Sequence, residues 1–256
     1  MDKVYYIIFA SLVIISVGLL AHDFYTNNYG NSLSRFEHSN ESAEVKRVID
    51  GDTVVLEDGE RVRLLGFDSH ETYERCFEED TEMLEALLEG ENEVELVRQG
   101  EDRDVYGRIL RHIFVGDENI NKKMVEKGHG VVVINNGDSF MEDFYEAEMD
   151  AWKNSRGCHW SDYEVKDVCG VENFSGEYRV VEGEVSGTHD FGDGVFVNFG
   201  EKFPDHCFTA VFWEKQVFKN LNISKGSSVK LHGEIDIYEG SPQIIVDRWS
   251  QVKLLE

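Results

Sequence analysis

Val48-Ile49-Asp50-Gly51-Asp52-Thr53-Val54 sets two aspartates around a glycine between apolar, strand-forming residues. Taken alone, Asp-Gly-Asp is a common turn. Outward from it the chain reads Arg63-Leu64-Leu65-Gly66-Phe67-Asp68-Ser69-His70-Glu71, with an arginine in mid-strand and two acids where the strand runs out. A third stretch, Asp102-Arg103-Asp104-Val105-Tyr106-Gly107-Arg108, stands just ahead of another apolar run. Separately these are a turn, a surface ion pair and a charged hairpin tip. Together they are the parts for hydrolysing a phosphodiester. Clustered carboxylates attract a hard cation that takes oxygen ligands. Two guanidiniums match the several oxygens of a phosphate. A carboxylate can orient or deprotonate water.

The surrounding pattern is mainly β with helices, an α+β class. Val45–Ile49, Thr53–Leu56 and Arg61–Phe67 alternate like strands, the last two joined by Glu57-Asp58-Gly59-Glu60, a hairpin signal. Cys76–Leu88 has helical period, with Phe77, Met83, Leu84, Leu87 and Leu88 near one face. Glu93–Val97 and Ile109–Val115 read as strands, Ile120–Lys127 as a helix closed by Gly128, Val131–Ile134 as a strand and Ser139–Asn154 as a longer helix. Short strands decorated by about three helices predict a small β-barrel.

In order and spacing these segments resemble the staphylococcal nuclease (thermonuclease) family. The likeness runs from about Val45 to Trp160: V-I-D-G-D-T, R-x-R-L-L-G-x-D-x-x-E, D-x-Y-G-R, N-x-x-x-V-x-x-G from Asn121 to Gly128, and a helix around Ala147-Glu148. It implies an OB-like five-stranded barrel with three helices, and calcium-dependent cleavage of DNA and RNA at the 5′ P–O bond. Carried over, Asp52 and Asp68 are calcium ligands together with the backbone carbonyl of Ser69, and Asp50 supports them from behind. Arg63 and Arg108 bind the scissile phosphate and stabilise the transition state, Arg108 also aiding the leaving oxygen. Glu71 holds or activates the attacking water, and Tyr106 packs near the site. Four departures stand out. His70 replaces a usual proline, Ser69 replaces a threonine, and Val105 stands where the founding enzyme has a lysine that touches a terminal phosphate. After Gly128, Val131-Val132-Val133-Ile134-Asn135-Asn136 lacks the tyrosines of the founding enzyme's nucleotide pocket. The resemblance therefore implies intact core chemistry with weakened terminal-phosphate recognition, and internal cleavage. A non-catalytic binding module on the same folds is the alternative. It would be expected to lose Arg63, Glu71 or Arg108, and all three are present.

Beyond Gly157–Ser175, which is turn-rich and aperiodic, five strand candidates follow: Tyr178–Val185, Gly194–Phe199, Cys207–Phe212, Ser228–Ile237 and Gln243–Val252. That spacing predicts a second small OB-like β-barrel or a small sandwich. Phe191, Phe196 and Trp213 could stack on bases, although aromatics in so small a barrel are usually core. Residues 176–256 carry 13 acids against 8 bases, which gives no obvious basic groove.

At the other end, Val4–Ala21 is an unbroken uncharged run, about 27 Å as a helix at ~1.5 Å per residue. It reads as a membrane anchor with the body outside the cell, or else as a signal segment that is cleaved to leave a secreted protein. The expected organisation is thus 1–23 anchor or signal, 24–43 linker, 44–160 nuclease-like domain, 161–175 linker and 176–256 OB-like barrel. The expected partners are DNA and/or RNA and a membrane through residues 4–21, and oligomeric state has no signature in the sequence. Cys76, Cys158, Cys169 and Cys207 fit an oxidising compartment. Three full pairings are open, with Cys207, inside an apolar run, expected to be a free core residue.

Composition pulls the other way. With 51 acids against 25 bases, the formal net charge is −26, of which −21 lies in residues 1–175. Affinity for polyanions comes largely from Lys and Arg, so this balance argues against a nucleic-acid partner. The two are reconciled if the chain is salt-adapted, because the Debye length falls to ~3 Å in molar salt. A local cation and two arginines then serve the site, while surface acids keep the chain soluble.

Overall fold

A computed structural model of the chain describes residues 41–255, apart from 92, 136, 162 and 163. The expected anchor and most of the linker after it lie outside the described residues. Among the described residues no helix is long and apolar enough to cross a membrane.

Strands β1 (Glu41–Ala43), β2 (Val45–Asp50), β3 (Thr53–Leu56) and β4 (Arg61–Leu64) come first, then a two-residue β5 (Phe67–Asp68) and helix α1 (Phe77–Leu88). They are followed by β6 (Val94–Val97), β7 (Ile109–Val115), β8 (Glu118–Asn119), α2 (Ile120–Lys127), β9 (Val131–Val132), α3 (Met141–Lys153) and the short α4 (Gly157–Ser161). The sheet order is β1-β6-β7-β4-β3-β2, with β4 and β7 parallel. Its hydrogen-bond ladder is an open path rather than the ring a closed barrel would have. Its two ends, β1 and β2, are separated only by Glu44, so the sheet curls back on itself through one interrupted strand. Val54, Val62, Leu64, Leu96 and Ile113 fill the inside, sealed by Leu84 of α1, Met124 of α2 and Phe144 of α3.

The expected strand 61–67 breaks at Gly66. There φ is +90°, and a Cβ would lie 2.8 Å from the Phe144 ring, so only glycine lets the chain turn this close to α3. Asn121 explains its place in the sequence pattern. It is buried at the start of α2, donates to the carbonyls of Leu65 and Arg111 at 3.0 Å and accepts from Ile113 N–H. One amide thus ties α2 to the strands that carry the site.

The second sheet repeats the same plan. Its members are β10 (Val165–Asp167), β11 (Tyr178–Asp190), β12 (Val195–Gly200), β13 (His206–Phe212), helix α5 (Lys215–Leu221), β14 (Ser228–Glu234), β15 (Asp236–Tyr238), β16 (Ser241–Ile245) and β17 (Val252–Leu255). The order β15-β16-β13-β12-β11-β14-β17 again has its third and fifth main strands, β13 and β16, parallel. A helix again follows the third strand. Three details differ from expectation. The apolar run 243–252 is two strands separated by a 3-10 turn at Trp249–Gln251. Residues 165–171, read as linker, supply β10 on the edge of β11 and bury Val168 and Val171 in the second core. Cys207 is not free: it is bridged to Cys169, and Cys76 is bridged to Cys158.

Residues 41–255 belong to one compact unit. Arg248, ahead of the 3-10 turn, reaches Glu148 on α3 through Nε at 2.8 Å and Nη2 at 2.9 Å. Glu148 is fully buried and also accepts from Ser250 Oγ and from Val132 N–H. Trp152 and Trp160 close over His232 of β14, with ring centres 4.5 and 4.8 Å away. The two sheets are therefore joined by a buried ion pair inside an aromatic cluster.

Candidate active site

The Asp50–Thr53 turn lies between β2 and β3 because Gly51 lets it. A Cβ there would come 2.6 Å from both Ser69 Cβ and Asp80 Cβ. This close approach lays the turn against the segment after β5. Asp52, nearly buried, accepts from the backbone N–H and Oγ of Ser69 at 3.1 and 2.8 Å through Oδ2, and from Thr53 Oγ1 at 2.9 Å through Oδ1. Asp50 Oδ1 accepts from Asp52 N–H at 3.2 Å, so it braces the turn from behind.

Arg63 projects from mid-strand β4 and pairs with both Asp52 and Asp68. It also donates to the carbonyl of Phe67 at 3.1 Å. Burial and the neighbouring Arg108 guanidinium lower its pKa to about 10, against the pull of Asp50, Glu71 and Asp104. It remains charged at neutral pH. Arg108 is held by Asp104, Nε to Oδ2 at 2.6 Å, and donates to Thr53 Oγ1 at 3.2 Å. Asp104 Oδ1 accepts from the N–H groups of Tyr106 and Arg108 and so shapes the hairpin tip. Tyr106 is 74% exposed, its ring centre 5.7 Å from the Arg108 guanidinium.

Structure thus brings together Asp50, Asp52, Arg63, Asp68, Ser69 and, through Thr53, Arg108. Glu71 is exposed on the turn that follows, its backbone N–H donating to Glu74 Oε2 at 2.7 Å. Its carboxylate is felt at Arg63 through charge. Asp68, Ser69, His70 and Glu71 open onto a cleft of about 720 Å³ whose far wall includes Phe174, Tyr178 and Arg179 of the second half.

Asp80 was not among the candidates read from the sequence. It is fully buried on α1, accepts from the backbone N–H of His70 at 3.0 Å, and stands 2.6 Å from His70 Nδ1 and 3.0 Å from His129 Nδ1. Burial opposes its charge, yet the hydrogen bonds from His129 and His70 prevail and hold it at about 2. His70 Nε2 then meets His159 Nδ1 at 3.0 Å. Where a proline would stiffen this turn by its ring, here a buried carboxylate clamps it. A readable signal existed: Asp80 shares a face with Phe77 and Leu84, three residues before it and four after.

Among the described residues no three His, Cys, Asp or Glu side chains converge as a metal cluster. The expected set has only two carboxylates and a carbonyl. All its donors are oxygen, the chemistry calcium prefers. Asp52 and Asp68 both touch one guanidinium and so face a common point. The residues fit a hard cation on those grounds.

Two arginines beside clustered carboxylates, on the turns of this curled sheet, are groups that suit the oxygens of a phosphate. Residues 61–162 match the family described as Staphylococcal nuclease homologue. It is 38% identical over 96 residues to the thermonuclease of Staphylococcus intermedius, covering 34% of this chain and 57% of that protein. It is also 28% identical over 127 residues to the thermonuclease of Staphylococcus hyicus, covering 46% and 75%. The chain thus spans little more than half of the first relative's length. The family match begins at Arg61, so the Asp50-Gly51-Asp52 turn falls before it, and tertiary packing brings that turn to the site.

Proposed function

We propose that the chain is an exported, membrane-tethered, calcium-dependent nuclease that hydrolyses phosphodiester bonds of DNA and/or RNA. The observation that carries this reading is the convergence of Arg63 on Asp52 and Asp68, with Arg108 held to the same turn through Thr53. The thermonuclease relatives support the same reaction class. Asp52, Asp68 and the Ser69 carbonyl would hold calcium, which when bound supplies positive charge to phosphoryl oxygens. With those carboxylates so engaged, Arg63 is free to donate its planar fork to the phosphate. Arg108, oriented by Asp104, faces the charge that builds on the phosphate and the leaving oxygen. Glu71 accepts a proton as water adds to phosphorus. The 5′ P–O bond breaks, and the 5′ oxygen leaves with a proton, giving a 3′-phosphate and a 5′-hydroxyl.

Export and tethering rest on the apolar run 4–21 and on two disulfides, which belong in an oxidising compartment. Salt adaptation rests on the net charge. One assay tests the reaction, the calcium and the salt reading: digestion of single-stranded DNA by purified 24–256, with calcium or chelator, across a salt series. Calcium-dependent cleavage that rises with salt is expected. Full activity in chelator would overturn the calcium assignment, and best activity in dilute buffer would overturn the salt reading.

A further inference from the structure

A second concavity, about 770 Å³, lies in the second sheet, formed by the end of β11, the faces of β12 and β13, and the β15–β16 turn. Its floor is built in register. Asn198 pairs with Thr209 across β12 and β13, and Thr209 with Gln243 across β13 and β16. Thr209 Oγ1 donates to Asn198 Oδ1 at 3.1 Å. A row of neutral donors and acceptors thus crosses three strands. The rim is aromatic. Phe203, from the β12–β13 loop, is 75% exposed and stacks on His206, with ring centres 5.4 Å apart. Tyr238, at the end of β15, is 62% exposed. Phe196 lines the groove and is backed by Phe191, ring on ring at 4.3 Å.

Exposed rings above a polar floor waste apolar surface unless something flat covers them. Charge narrows what that is. Glu239 is the single acid in the lining, beside Lys202, His189 and His206, in a chain where acids outnumber bases two to one. Among the described residues Lys202 makes no ion pair, so its charge is available to a ligand. The cleft beside Glu71, by contrast, sets Asp68, Glu71, Glu74, Glu164, Glu177 and Glu234 against Arg75, Lys166 and Arg179. A polyanion finds little long-range attraction there.

We propose that this groove binds single-stranded nucleic acid, bases stacked on Phe203, Tyr238 and Phe196 and a phosphate on Lys202, and so holds the strand whose cleavage the first half performs. Base–aromatic stacking tolerates any sequence, and a partly open barrel of this kind offers just such a face between its strands and loops. The inference rests on the nuclease reading for its purpose but not for its test.

The test is fluorescence anisotropy of a labelled short oligothymidylate with the chain 24–256 in chelator, where binding is read without hydrolysis. Phe203→Ala and Tyr238→Ala are each expected to weaken binding roughly 5- to 100-fold. Lys202→Ala should weaken it at low salt and reduce the slope of log K against log salt by about 0.7, one single-strand phosphate contact. Both rings are solvent-exposed, so circular dichroism should show the variants folded. Wild-type affinity in the two ring variants would overturn the proposal, as would binding of a neutral oligosaccharide in place of the oligothymidylate. Failure of the nuclease reading shows separately, as absent cleavage with calcium while these affinities stand.

Discussion

Arg63 is where the chemistry is most exposed to a single substitution. Its planar fork spans two carboxylates on different turns, and burial beside Arg108 makes its charge costly to hold. Lysine keeps the charge but cannot present paired donors in a plane. Arg63→Lys is therefore expected to lower kcat on single-stranded DNA by about 100- to 1,000-fold, the usual loss of one transition-state donor. Activity within a few-fold of wild type would remove Arg63 from the chemistry. The arginines and aspartates that the structure brings together stood out in the sequence because charge in mid-strand or at a strand end has no role in a core. Asp80 was less so. Its partners His70 and His129 lie 10 and 49 residues away, and neither distance leaves a mark in local pattern.

At the scale of elements, periodicity served well where a face is buried over several turns. Helix α2 spans Ile120–Lys127, as its spacing and Gly128 indicate. Helix α5 was missed because its seven residues carry a single apolar turn, Val217, Phe218 and Leu221, which is too short for the spacing to repeat. Strand β10 was missed because three residues pairing on a sheet edge are too few to show alternation. Cys207 looked like core for the same local reason, although a bridge depends on what lies opposite: the Cys169 Cα is 5.1 Å away. The Cys76–Cys158 bridge closes a separation of 82 residues, for which chain entropy sets a ceiling of about 4.5 kcal/mol. Replacing both with serine should lower stability by roughly 2–4 kcal/mol in urea unfolding, and reductant should then add only the effect of the second bridge. A double variant as stable as wild type would show that this bridge does not form. Peptide mapping under non-reducing conditions should recover 76–158 and 169–207 as the cross-linked pairs.

Across the whole molecule, the two sheets share one buried ion pair, and pH reads it. Burial alone would raise the Glu148 pKa, but the Arg248 guanidinium outweighs it and holds the carboxyl at about 2. Since the unfolded carboxyl titrates at ordinary values, this contribution is complete above about pH 4.5 and is lost as pH falls toward 2. Burial lowers His232 to about 4 and His159 well below 6.5, so the unfolded chain takes up these protons first and stability begins to fall below pH 6.5. Glu148→Gln strands a buried guanidinium and should cost about 3–5 kcal/mol at pH 7. It should also flatten the decline of the urea midpoint below pH 4.5, and an unchanged decline would show that Glu148 does not couple the halves. The sequence by itself determined the class of fold and the strands and helices with long apolar faces, and it singled out the arginines and carboxylates proposed for the site, because periodicity and misplaced charge are local properties. Tertiary structure alone decided the disulfide pairing, the Asp80 clamp on His70, the docking of Glu148 on Arg248 and the acid-poor aromatic groove. Each of these depends on which distant residues face one another, and a net charge of −26 averages over the surfaces that this facing separates.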